Sequence, residues 1–421
     1  MGIGIPELLQ IPISSPKFPR LSPTLPPMQK NWPFSFAFYF LFFASASALI
    51  PYLALYYQHI GLSGAQTGVL TAVGPLISMV GAPLLTGFAD SRHRHKFVLS
   101  LSLMGVIITI LAIPMTEQFA LLFLVVAIYS FLGAPLISLS DSATMSMLGD
   151  RRALYGRIRT GGTFGWGLIA PLAGMVIEDN GLRWAFWLYA AGMFAALLVS
   201  QGLTFGPAVE QTQSFRKGIK NLLSNRRWLL FLGMIFVSGM AMAMVTTYLF
   251  PFMEEVGATR GQMGFSQSIA TAAELPFLFF VNRLLDRFRA RGVMLFSVFI
   301  VGVRLLLYTI FPTPTGILFI QLLHGVTFAT IWVAGVSYTY EIAPAGLAAT
   351  AQGVFSSMLL GFGSAAGNFF GALLFEALGG QQMYLWMGVV VLISLGVYLL
   401  LERRMDKPMS SPAAPNATVP S

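Results

Sequence analysis

The most constraining feature of this sequence is a series of long apolar runs separated by short polar loops. They fall near 32–56, 66–89, 97–115, 118–140, 160–177 and 183–204, then near 229–252, 263–282, 293–311, 316–340, 351–375 and 383–401. About twenty apolar residues in a helix cross the hydrocarbon core of a bilayer. The pattern therefore predicts an all-α membrane protein with twelve transmembrane helices in two sets of six. Composition agrees, since only 10% of the 421 residues are charged, against about 25% in soluble domains. The absence of cysteine removes disulfides, thiolate metal sites and a cysteine nucleophile from consideration.

Residues 1–30 carry seven prolines and no continuous apolar stretch, so a disordered tail is expected there rather than a signal peptide. Met28, just before the basic entry into the first run, is a candidate native start. The expected organisation is a tail over 1–30, a six-helix bundle over 31–204, a linker over 205–228, a second bundle over 229–403 and a tail over 404–421.

Orientation follows from the basic residues, which gather in the cytoplasmic loops of membrane proteins. With both termini cytoplasmic, 22 of the 25 Lys and Arg fall on that side. Only Arg183 and Arg260 fall on the other, where Glu117, Glu178, Asp179, Glu254, Glu255 and Glu376 gather. The net charge of +9 is thus read as membrane orientation, and no nucleic-acid partner is expected. The expected location is the plasma or inner membrane.

The two sets also repeat. An offset of 196 residues carries Trp32 to Trp228, Asp90 to Asp286, Gly165 to Gly361 and Gly167 to Gly363. The loop from Thr86 to Lys96 contains Asp90 followed by Arg92, Arg94 and Lys96; its counterpart from Asn282 to Arg291 contains Asp286 followed by Arg287, Arg289 and Arg291. An aspartate at a helix end followed by cations can tie neighbouring helices together, so Asp90, Arg94, Asp286, Arg287 and Arg291 are the candidate conformational latch. Both loops resemble the G-x-x-x-D-R-x-G-R-R loop of the major facilitator superfamily. Thr86 and Asn282 stand at its first glycine, Ser91 at a cation, and His93 and Arg289 at its second glycine. The resemblance implies two six-helix pseudo-repeats, a solute site at their interface and alternating access.

Three ionisable residues lie deep inside the apolar runs: Glu274, Arg304 and His324. Each is about 8 to 12 residues from a helix end, or roughly 12–18 Å deep at 1.5 Å per residue. A charge there costs on the order of 2.5–3.5 kcal/mol, so each is expected to face a cavity and to have a partner. Burial and a neighbouring cation pull a carboxyl's protonation in opposite directions. A cargo group that engages Arg304 would then release Glu274 to take a proton, coupling the two movements. The plainer alternatives are a static Glu274–Arg304 salt bridge and a His324 that only bonds between helices.

Several strings sharpen the resemblance. Ala273-Glu274-Leu275-Pro276, Gln321 to Phe328 and Ala349 to Gly353, with Ser140-Asp141, Tyr155 to Arg159 and Gly165-Trp166-Gly167, resemble the phenylpropionate permease branch. That branch is related to lactose permease and the nucleoside:proton symporters. It implies that Glu274, Arg304 and His324 serve coupling and substrate contact in proton-driven uptake. Possible substrate contacts are Tyr52, Tyr129, Trp166, Tyr248, Gln321, Trp332 and Asn368; Asp141, Arg157, Arg159 and Glu341 form a possible cytoplasmic gate. Gly361, Gly363, Gly367 and Gly371 lie within one run and read as close helix packing rather than a phosphate loop.

The expected function is secondary active transport of a small organic solute (aromatic carboxylate, sugar or nucleoside) by proton-coupled symport. An exporter or uniporter of the same fold, or a non-transporting receptor, fits the same sequence. Without a phosphate loop, a metal-ligand cluster or a soluble catalytic segment, neither enzymatic activity nor a metal or cofactor is expected. Expected partners are the solute, protons and the lipid bilayer, with the chain acting as a monomer.

Overall fold

The computed structural model of the protein describes residues 32–206, 224–343 and 347–406. The proline-rich tail, Met28, most of the linker and the chain beyond 406 lie outside the described residues.

The N-terminal segment consists of α1 (Trp32–Leu49), α2 (Leu53–His59), α3 (Gly64–Arg92), α4 (His95–Ala112), α5 (Phe119–Gly133), α6 (Leu136–Leu148), α7 (Tyr155–Asn180) and α8 (Trp184–Ser200). The C-terminal segment consists of α9 (Arg226–Glu255), α10 (Arg260–Ile310), α11 (Pro314–Ile320), α12 (Thr330–Ile342), α13 (Ala348–Ser356) and α14 (Ser364–Asp406). Two π-helical turns, Gly325–Ala329 and Ser357–Gly363, precede α12 and α14.

Local chemistry sets the boundaries. Asn225 accepts from the backbone N–H groups of Arg227 and Trp228, a side-chain cap that starts α9 at Arg226, earlier than the expected end of the linker at 228. At the other end α14 continues to Asp406, past the expected bundle end at 403. Among the described residues nine helical stretches are long and apolar enough to cross a bilayer, against twelve expected. Trp184–Ser200 is shorter, at 17 residues. The part of α10 before Arg283, which carries Gln267, Ser268, Thr271 and Glu274, falls outside that set, and the helix breaks at Arg289. The 56-residue stretch Thr350–Met405 is broken at Gly379, where φ is 78°.

Local geometry recurs at the 196-residue offset. Gly61 and Gly257 both have φ of +82°. Two residues on, Ser63 and Thr259 cap α3 and α10 with the same box, completed by Gln66 and Gln262. Among the described residues, His93 and Arg289 are the non-glycine residues with positive φ, at 51° and 57°. These are the two positions where the resembled loop carries its second glycine.

Helix ends divide the charges between two faces. The basic face carries Arg92, Arg226, Arg403 and their neighbours; the acidic face carries Glu117, Glu178, Glu254 and Glu376. Between the faces the exterior is apolar, with Val80, Ile108, Leu198 and Phe319 all at least 60% exposed, as a lipid-facing surface requires. Two seams join the N- and C-terminal segments toward the acidic face. In one, Gly68 of α3 lies against the Phe369 carbonyl of α14; in the other, a methyl at Gly264 of α10 would stand 2.3 Å from the Ala170 carbonyl oxygen of α7. Small residues let the backbones touch, which drives helix association where lipid offers no hydrophobic gain.

Candidate functional site

A cavity of about 510 Å³ lies between α7 and α10 and is lined by Trp166, Gln267, Glu274, Arg304, His324 and Phe328 among others. It extends to Gly156 and Arg159 at the basic-face end of α7. A second cavity of about 490 Å³, lined by Leu53, Thr71, Tyr129, Tyr189 and Asn368, shares Thr246 and Phe328 with the first.

The three deep ionisable residues meet on the first cavity, but not as a Glu274–Arg304 pair. His324 stands between them. Its Nε2 is 2.9 Å from Glu274 Oε1 and its Nδ1 is 3.0 Å from an Arg304 guanidinium nitrogen. A guanidinium has only donors, so Nδ1 of His324 accepts. The ring then carries its proton on Nε2, facing the glutamate. A static salt bridge between Glu274 and Arg304 is thereby replaced by a chain of two hydrogen bonds through a histidine.

Local sequence builds this chain. A methyl at Gly325 would lie 2.1 Å from the Ala273 carbonyl oxygen, so glycine there lets the segment after α11 touch α10 one residue from Glu274. The π-helical turn that follows places Phe328 parallel to the His324 ring, at 5.4 Å and 8°. Such turns are frequent at functional sites because they re-aim side chains. Arg304 is only 4% exposed. It donates to Gln321, to Thr327 at 3.0 Å and to Tyr308 at 3.2 Å, besides His324. Four of the five guanidinium N–H donors are therefore committed. Glu274 and His324 keep 19% and 22% of their side chains accessible, so cargo in the cavity can reach them.

Of the other expected contacts, Trp166 lines the first cavity and donates from Nε1 to Gln267 at 3.2 Å. Gln321 also lines it, engaged with Arg304. Tyr129 and Asn368 line the second cavity: Tyr129 pairs with Tyr189 at 2.9 Å, and Asn368 bridges Thr247 and the Thr71 carbonyl. Three do not reach either cavity. Tyr52 is buried, its hydroxyl 3.3 Å from the Arg260 carbonyl at the acidic face. Tyr248 is buried with its hydroxyl on the Asn368 carbonyl. Trp332 is 37% exposed and packs at a tilt of 46° against Phe355, outside both cavities. Burial in helix contacts accounts for the two tyrosines, and an outward apolar position for the tryptophan.

The expected latch ties helices within a segment rather than across the two. Asp90 meets His95 at 2.7 Å, and Arg291 pairs with Glu402. Arg94, Asp286 and Arg287 are on the surface, with Arg287 over the Phe288 ring. The expected gate is half formed: Asp141 binds Arg159 at 3.0 Å and Tyr39 at 2.6 Å, while Arg157 and Glu341 are exposed. Sequence reading missed Tyr308, Thr327 and Gln267. Tyr308 follows Arg304 by four residues, Thr327 follows His324 by three and Gln267 precedes Glu274 by seven, so helical spacing would have revealed them.

The family model described as MFS_1 like family matches residues 34–386. The chain belongs to that family. It is a multi-pass membrane transporter of the major facilitator superfamily. It is 27% identical to "Uncharacterized transporter YwbF" of Bacillus subtilis over 87% of this chain and 92% of that protein. It is 23% identical to the maltose permease of Geobacillus stearothermophilus over 87% and 93%. Its fold matches the crystal structure of nucleoside transporter NupG with a TM-score of 0.79 at 19% identity, covering 89% of the transporter and 99% of the other chain.

Proposed function

We propose that the transporter carries a small neutral, hydroxyl-bearing solute, a sugar or a nucleoside, in symport with a proton taken up on Glu274. The observation that carries this reading is the commitment of four of the five Arg304 N–H donors to His324, Gln321, Thr327 and Tyr308. A carboxylate cargo would find one N–H left on Arg304 and, at the basic-face end of the cavity, an Arg159 already paired with Asp141. A neutral cargo needs neither cation.

Coupling follows from the hydrogen-bond inventory of a carboxyl. One oxygen of Glu274 accepts from His324. With a proton, the other oxygen can donate to a cargo carbonyl or ring oxygen, which has no hydrogen of its own to give; without one it can only accept. Proton loss therefore removes that bond and favours release. Trp166 of α7 and Gln267 of α10, joined across the cavity, suit a ring and its hydroxyl groups. The maltose permease among its relatives and the nucleoside transporter of similar fold support this solute class.

The reading includes twelve crossings in two six-helix bundles, a single acting chain, and a plasma-membrane location with the basic face and both termini cytoplasmic. The recurrence of capping boxes and positive φ at 196 residues supports the duplication, and the charge division between faces supports the orientation. The cavity then reaches the cytoplasm while the opposite seams are closed. Uptake into proteoliposomes with an imposed pH gradient, using labelled sugars, nucleosides and aromatic carboxylates, tests the proposal. Gradient-driven accumulation of a neutral solute is expected. Accumulation of carboxylates alone would refute it.

A further inference from the structure

The acidic face holds a titratable group that the transport cycle above leaves unused. Of the four histidines in the chain, His59 ends α2 on that face. Its Nε2 lies 2.8 Å from Glu254 Oε2 at the end of α9, so the contact joins the N- and C-terminal segments. Arg260, at the start of α10, holds the other oxygen of the same carboxylate. Two further ties cross the same seam: the Tyr52 hydroxyl donates to the Arg260 carbonyl at 3.3 Å, and the Gly261 N–H donates to Glu178 of α7 at 2.9 Å.

The charges facing His59 from every side are mainly acidic. A cleft of about 830 Å³ brings His59 and Arg260 together with Glu117, Glu178 and Arg183, and Arg183 sits 4.0 Å from Glu117. Glu255, next to Glu254, accepts the Gly380 N–H at 2.8 Å, and Asp179 is exposed beside Glu178. His59 and Glu254 keep 46% and 32% of their side chains exposed, so water and protons reach them directly.

We propose that His59 is a second proton site, separate from Glu274, that locks the acidic-face closure of the transporter when the adjoining solution turns acid. Histidine changes charge between about pH 5 and 8. Neutral His59 gives Glu254 one N–H donor, whereas protonated His59 gives a charge-assisted one. Only the closed seam brings the two within bonding distance, so proton binding favours the closed state. Falling external pH then has two opposed effects: it loads Glu274 and slows reopening of the seam. The inference rests on the proposed orientation and on alternating access.

The absence of cysteine makes the test direct. A single cysteine replaces Leu53, on the second cavity, and a control carries one at Met115, which is 81% exposed near the acidic face. Right-side-out and inverted vesicles are treated with an impermeant maleimide at pH 5.5 and 7.5, and Leu53→Cys labelling is normalised to Met115→Cys at the same pH. From the acidic face, normalised labelling should fall about two- to fivefold on acidification, the range expected of a half-exposed ion pair. His59→Gln and, independently, Glu254→Gln should abolish that fall. A fall that persists in both variants, or no fall without them, overturns the proposal alone. Met115→Cys labelled only in inverted vesicles overturns the orientation and the proposal with it. Leu53→Cys never labelled from the acidic face at either pH overturns alternating access together with the proposal.

Discussion

Gly325→Ala is the sharpest test of how the site is assembled. The new methyl carbon would stand 2.1 Å from the Ala273 carbonyl oxygen and 2.5 Å from the Phe277 ring. Restoring an ordinary carbon contact of about 3.5 Å moves the backbone at His324 away from α10 by on the order of 1 Å. The His324–Glu274 bond, 2.9 Å in the native chain, then lies near 4 Å and no longer counts as a hydrogen bond. A bond to a charged group is worth about 1.5–3 kcal/mol, so an equilibrium governed by this pair shifts by roughly ten- to a hundredfold. The assay is solute accumulation in proteoliposomes under a pH gradient, beside solute exchange without one. Accumulation should collapse while exchange is retained in part. Gly233→Ala is the control, because a methyl there meets nothing within 4 Å. Gradient-driven accumulation of Gly325→Ala at the level of Gly233→Ala would show that the close approach does not serve coupling.

Glu274→Gln keeps a donor and an acceptor in place of the carboxyl and should bind and exchange solute at any pH, while a gradient of one pH unit, which supports about tenfold accumulation at one proton per solute, yields none. Accumulation as in the native protein would remove Glu274 from coupling. Arg304→Lys loses the planar fork that meets Gln321, Thr327 and His324 and should lower both transport and thermal stability despite its retained charge; native-like values for both would refute the argument from its committed donors. His93→Gly and Arg289→Gly relieve backbone that favours glycine and should each raise stability by about 1 kcal/mol, read as an upward shift in Tm. A downward shift would mean that the side chains hold the loops.

Much of this was legible because lipid constrains sequence tightly. Apolar runs pointed to an all-helical membrane protein, though nine rather than twelve stretches among the described residues are long and apolar enough to cross. The cost of burying charge singled out Glu274, Arg304 and His324. The order of contact within that trio was not legible. It depends on Gly325 and on a π-helical turn, and neither the identity of a small residue nor an extra residue in a helical turn says which neighbour approaches. The aromatic residues failed for a related reason. Tyr52 and Trp332 look alike in an apolar run, and only packing decides that one seals the acidic face while the other meets Phe355. The recurrence of local geometry at 196 residues goes further than the four matched residues, since Ser63 with Thr259 and Gln66 with Gln262 share a capping role without all sharing a residue type.

The bonding order Glu274, His324, Arg304 has an electrical consequence. Arginine does not release its proton in proteins, so the relay ends in a group that can neither accept a hydrogen ion nor pass one on. In the proposed symport, a hydronium-derived charge that reaches the glutamate would have to leave by the route through which the carboxyl is exposed at that moment. A carrier built this way would have a cul-de-sac where a continuous wire would short-circuit the membrane, and would spend the gradient on cargo rather than leak it.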